Sequence, residues 1–168
     1  DLTTLGKIIG GGMPIGAYGG LHELMDKMAP TGDVYQAGTL SGNPVATACG
    51  LATLSALDAR SFYDDLEEKG QMLQEGFYEK AKLAGVPIQI NRVGSMMTVF
   101  FTQYEVTNFE QAAAANADLY QKYWNAMLKR GFYFPPSPFE AFFISSVHSH
   151  LDLEKTIRAA GLAFEEIA

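Results

Sequence analysis

Apolar positions along the chain change their period near residue 60, and that change divides the sequence. From Val45 to Leu57 almost every position is apolar or small, which predicts a helix buried on most of its faces. From Phe62 to Leu83 the pattern turns amphipathic. Phe62, Leu66, Leu73 and Phe77 recur at helical spacing opposite Asp64, Asp65, Glu67, Glu68 and Lys69, which read as a solvated face rather than a metal site. A boundary is therefore placed at Asp58-Ala-Arg-Ser61, separating residues 1–60 from residues 61–168.

Before the boundary, Pro14 to Gly20 reads as a short buried strand, and Leu21 to Met28 as a short helix broken by Pro30 and Gly32. Beyond it, Ile88 to Ile90 and Val93 to Thr102 read as strands, the second largely covered on both faces. Asn116 to Arg130 is a helix with Tyr120, Tyr123, Trp124, Met127 and Leu128 along a core-facing side. Phe132 to Pro138 is extended and fixed by prolines, Ile144 to His150 is a strand, and a last helix capped by Ser149 or Asp152 runs to Ile167. Helix, strands, helix, strand, helix describes a two-layer α/β or α+β unit.

Composition narrows the function. With 48% hydrophobic and 12% aromatic residues the chain is globular, and a net charge of -7 argues against nucleic acid or an anionic membrane as its main partner. Cys49 is the single cysteine and reads as a packed thiol, so there is no disulfide framework and a reducing compartment is expected. His148 and His150 share a face on the predicted strand, but only Glu154 offers a third ligand nearby, so no metal site is expected.

Two stretches look chosen for chemistry. In Leu5-Gly-Lys-Ile-Ile-Gly-Gly-Gly12 a lysine sits among apolar residues, which predicts a desolvated amine able to attack an aldehyde. The glycines after it suit a tight turn or close approach of something flat or anionic. The plainer alternative is a surface lysine before a flexible loop. In Tyr35-Gln-Ala-Gly-Thr-Leu-Ser-Gly-Asn-Pro44, hydroxyls and bare backbone lead into a helix with Asn43 as N-cap and Pro44 in its first turn. That is either an anion site at a helix start or an ordinary capped helix. Glu140, inside the aromatic run Phe139 to Phe143, faces either a cleft or solvent.

Leu5 to Ala17, Val34 to Pro44, Phe139-Glu-Ala141 and Val147-His-Ser149 together resemble the glutamate-1-semialdehyde 2,1-aminomutases. These are class III aminotransferases of the fold type I pyridoxal-phosphate group. The resemblance covers essentially the whole chain and corresponds to the C-terminal part of such an enzyme. It implies an α/β architecture in which residues 1–60 belong to a large cofactor-binding domain and residues 61–168 form a small C-terminal domain. It also implies that Lys7 binds pyridoxal phosphate covalently and moves protons at the substrate carbon. Gly38 and Thr39 would hold the cofactor phosphate across a homodimer interface, and Glu140 would lie near the substrate. The implied reaction is intramolecular amino transfer from (S)-4-amino-5-oxopentanoate to 5-aminolevulinate for tetrapyrrole synthesis, with the cofactor passing through its pyridoxamine form. The implied location is cytoplasmic, or plastid in a plant or alga.

The sequence starts Asp1-Leu-Thr-Thr without Met and reaches Lys7 at once, so it is expected to continue a longer polypeptide and to be inactive alone. The alternatives are the C-terminal part of an ω-aminotransferase and a non-catalytic dimerisation or scaffold domain in which Lys7 is structural.

Overall fold

The first element of the computed structural model, which describes residues 1–168, is a strand that the hydrophobic pattern did not predict. β1 (Leu2–Leu5) pairs antiparallel with β2 (Ala17–Gly20), from Leu2 opposite Gly20 to Leu5 opposite Ala17. Four residues carry too short an alternation to be read as a strand alone; pairing defines it. β2 is shorter than the predicted strand and is mostly exposed rather than buried. The helix expected from Leu21 to Met28 shrinks to α1 (His22–Met25), and Met28 instead bridges to Val34.

α2 (Pro44–Leu57) starts where its cap predicts: the Asn43 side chain accepts hydrogen bonds from the Val45 and Ala46 N–H groups at 3.0 and 3.2 Å. Its expected burial is not met within this chain. Only Ala46 and Gly50 are buried, and Val45, Leu51 and Leu54 are at least half exposed. These elements belong to a first compact unit, Asp1–Phe62, and the remainder forms a second, Tyr63–Ala168.

The second unit has its own core. α3 (Phe62–Ala84) follows its amphipathic pattern and buries Leu66, Leu73, Phe77 and Ala81. Lys69, placed by sequence on the solvated face, is instead buried. Its ammonium pairs with Asp65 at 2.7 Å and donates to the Ser146 carbonyl at 3.0 Å, so a charge within the turn and a distant carbonyl together offset its desolvation. β3 (Gln89–Val93) and β4 (Met96–Phe100) form a hairpin whose loop contains Gly94 at φ 56°.

β5 (Phe142–Phe143) adds two residues to the other edge of β4, giving the antiparallel order β3-β4-β5. A short helix α4 (Phe109–Ala113) precedes α5 (Ala117–Lys129), and α6 (His150–Ile167) closes the unit. Helices and sheet enclose Phe77, Met97, Phe101, Tyr123, Met127 and Phe164. The rings of Tyr123 and Phe164 stack at 5.0 Å. The strand expected over Ile144 to His150 is not formed. α6 begins at His150, because Ser149 and Asp152 make a reciprocal capping box that starts a helix there.

Candidate active site

β1 ends two residues before Lys7, and Lys7 is the only non-glycine residue with a positive φ, at 51°. A side chain in the left-handed region crowds its own backbone, at a cost of about 1–2 kcal/mol. The chain then closes a 3₁₀ turn, Lys7–Gly10, sealed by the Gly11 N–H donating to the Ile8 carbonyl at 3.0 Å. The apolar wrapping expected around Lys7 is not supplied by its sequence neighbours: Lys7, Leu5 and Ile8 are all exposed. Adjacent residues in a tight turn point in different directions, so being apolar neighbours in sequence does not desolvate the amine.

Of the glycines after Lys7, Gly11 serves contact with α2. A methyl group on Gly11 would stand 2.9 Å from the Cys49 carbonyl oxygen, and Gly11 lies at φ 58°. Cys49 is half-buried beside that contact, and its carbonyl also accepts the Thr53 hydroxyl at 3.0 Å. Gly50 answers from the helix side: a methyl there would meet the Ile9 carbonyl oxygen at 2.9 Å. Gly11 and Gly50 thus mark the close approach of two backbones, which holds the turn carrying Lys7 against α2, while a methyl on Gly10 would meet Ile15 instead.

An open cleft of about 1100 Å³ lies between the paired ends of β1 and β2 and the loop before α2. Thr4, Tyr18, Gln36, Gly38, Thr39 and Ser41 supply polar atoms to it, and no charged side chain lines it. Of the two readings of the α2 N-terminus, the cap geometry matches the ordinary capped helix. Asn43 already takes the Val45 and Ala46 N–H groups through its side chain and the Thr47 N–H through its carbonyl. The helix start is satisfied by its own cap. Within the loop, Ser41 N–H bonds to the Gly38 carbonyl and Asn43 N–H to the Leu40 carbonyl, while the Gly38 and Thr39 N–H groups and the Thr39 hydroxyl stay uncommitted. That donor set suits a phosphate held by neutral hydrogen bonds.

The predicted site residues fall in both units, and each is described within its own. Gly38 and Thr39 line the cleft, and Lys7 does not. Glu140, in the second unit, is exposed, with its N–H on the Ser137 carbonyl at 3.3 Å. His148 and His150 are separated by the helix start. His148 accepts the Ser145 N–H on Nδ1 at 2.9 Å, and His150 lies 3.7 Å from Glu68. Sequence reading passed over Thr4 and Tyr18 as cleft residues, because only the β1–β2 pairing brings them to the loop.

The family model described as aminotransferase class III matches residues 1–137. A glutamate-1-semialdehyde 2,1-aminomutase from Sulfurihydrogenibium sp. (strain YO3AOP1) is 51% identical over 168 residues. That match covers 100% of this chain and 39% of the relative, so the chain spans about two fifths of the relative's length. A β-phenylalanine aminotransferase from Variovorax paradoxus superposes with a TM-score of 0.85 at 33% identity, over 96% of this chain and 37% of that one. A glutamate-1-semialdehyde-aminomutase from Pseudomonas aeruginosa PAO1, solved in complex with PMP, has the same fold: TM-score 0.84 at 20% identity, over 100% of this chain and 39% of that one.

Proposed function

Since the chain belongs to the class III aminotransferase family, we propose that it is part of a pyridoxal-phosphate-dependent glutamate-1-semialdehyde 2,1-aminomutase. The reaction moves an amino group between adjacent carbons of one substrate and yields 5-aminolevulinate, a tetrapyrrole precursor. The observation that carries the reading is the left-handed backbone at Lys7. A lysine in a strained backbone, in a turn that Gly11 packs against α2, supports the reading of a placed amine. Identity of 51% along the whole chain favours the aminomutase over a general ω-aminotransferase.

In this reading Lys7 Nζ would hold the cofactor covalently and, when released, would carry the protons that one substrate carbon gains and its neighbour loses in the two halves of the reaction. Gly38 and Thr39 offer two N–H groups and a hydroxyl to the cofactor phosphate. The family resemblance supports placing these donors at the phosphate site of a second copy in a homodimer. The Glu140 carboxylate contacts the substrate. When bound, the cofactor supplies the electron sink that makes the substrate carbon acidic, cycling between its pyridoxal and pyridoxamine forms. No helix is long and apolar enough to cross a membrane, and a lone cysteine together with bacterial relatives supports a cytoplasmic enzyme.

Borohydride reduction of the cofactor-loaded protein followed by peptide mapping tests the assignment. Label confined to Lys7 is expected, and label spread over many lysines would support a scaffold domain instead.

A further inference from the structure

The segment that presents Glu140 has almost no backbone ladder of its own. Between α5 and β5 it contains Pro135, Pro136 and Pro138, which lack N–H donors, so sheet pairing cannot hold it. Side chains hold it instead. Trp124 Nε1 on α5 donates to the Phe134 carbonyl at 2.7 Å, and the Tyr120 hydroxyl one turn earlier donates to the Pro135 carbonyl at 2.6 Å. Ser137 then turns the chain, its Oγ accepting the Phe139 N–H and its carbonyl accepting the Glu140 N–H, both at 3.3 Å. At the far end Phe139 rests on Phe109 of α4, with ring centroids 6.1 Å apart.

That last pair is unusual in its setting. Phe109 is 72% exposed and Phe139 55% exposed, so neither ring is anchored by the core. The pair lies outside the buried core, and Phe139 is the residue next to Glu140, so the contact bears on the segment that carries the carboxylate. Tyr120 is suited to its part because burial, and then the negative charge of Glu140, push its phenol up to about 12. It remains a donor throughout the neutral range.

We infer that Phe109 and Tyr120 are positioning residues for Glu140, fixing the proline segment from its two ends so that the carboxylate is held where substrate is bound. The inference rests on the proposed role of Glu140 and adds the residues through which that role is exercised. Phe109 acts by ring contact with Phe139, and Tyr120 by its hydrogen bond to Pro135.

The test compares Phe109→Ala, Phe109→Tyr, Tyr120→Phe and Glu140→Gln in the cofactor-loaded enzyme, with steady-state kinetics on glutamate-1-semialdehyde and the melting temperature of each. Phe109→Ala and Tyr120→Phe are expected to raise KM about tenfold with a smaller change in kcat, as misplacing a substrate contact does. Phe109→Tyr should restore KM, and Phe109→Ala should keep the parent melting temperature. Emission from Trp124, the one tryptophan of the chain, should shift in Tyr120→Phe, because the two residues hold neighbouring carbonyls. If Glu140→Gln raises KM while Phe109→Ala and Tyr120→Phe leave it unchanged, the positioning role is overturned and the role of Glu140 stands. If Glu140→Gln is silent, both the role of Glu140 and the positioning inference fall, whatever the aromatic variants do.

Discussion

The ammonium of Lys69 donates to the carbonyl of Ser146 at 3.0 Å, joining α3 to the turn before α6, and it does so while only 5% exposed. Asp65, one helical turn earlier, sits 2.7 Å from the same nitrogen. A buried cation is tolerated because both partners are in place. Replacing Lys69 by Ala leaves the Ser146 carbonyl without its charged donor, and the second unit should lose about 1.5–3 kcal/mol. Urea unfolding followed through Trp124 measures it. An unchanged midpoint would mean that the contact contributes nothing.

Tyr123 makes the opposite case. It is 1% exposed, and its hydroxyl is the one buried side-chain polar atom without a hydrogen-bond partner. Burial, followed by the neighbouring Tyr120, drives its phenol far above the usual tyrosine range. Because a partnerless hydroxyl is costly, Tyr123→Phe should stabilise the second unit by ~1 kcal/mol while leaving the ring stack with Phe164 intact. The same unfolding measurement decides, and a loss of stability would reveal a partner for the hydroxyl.

The left-handed backbone at Lys7 should show in stability. Glycine adopts φ near 51° without steric cost and alanine does not, so Lys7→Gly should be more stable than Lys7→Ala by about 1 kcal/mol. Both variants should fail to bind the cofactor covalently. Thermal unfolding of the two side by side checks the strain, and equal melting temperatures would argue that the backbone at Lys7 is relaxed.

Acid sensitivity should centre on three surface carboxylates. The hydrogen bond from Arg92 lowers the pKa of Glu67 below its ordinary 4.5, and those from Ser149 lower Asp152 below 3.8. Arg130, with Lys129 adding to it, lowers Glu166 below 4.5. Groups whose folded pKa is depressed stabilise the fold above their ordinary values, and that contribution is lost as pH falls through the lower folded values. The melting temperature should therefore be flat at neutral pH and fall on acidification below about pH 4.5. Glu67→Gln should make the fall shallower. A profile unchanged by that substitution would show that the Arg92 pair does not contribute.

What was legible in the sequence was what local pattern decides. The α5 stripe of Tyr120, Tyr123, Trp124 and Met127 packs inward as its spacing predicts, although Leu128, expected on the same side, is exposed, and Asn43 caps α2 as an Asn-Pro pair at a helix start predicts. What was not legible depends on partners distant in sequence. Lys69 looked solvated because its neighbours are acidic, and only the fold brings Ser146 to it. His148 and His150 looked like one strand face until the Ser149–Asp152 capping box started a helix between them. For the site, the residue types at Lys7 and at Gly38-Thr39 stood out early. The strain at Lys7, the uncommitted loop donors and the exposed setting of Glu140 required backbone geometry.

If Lys7 serves an intramolecular amino transfer, as proposed, one assay shows it directly. The complete enzyme of which this chain is proposed to be part, loaded with cofactor, is supplied with glutamate-1-semialdehyde alone, without added amino donor or acceptor, and 5-aminolevulinate is measured over many turnovers beside a Lys7→Ala control. Sustained product formation that the control lacks is the predicted result. Turnover that requires an external amino acceptor, or that survives in Lys7→Ala, would contradict it.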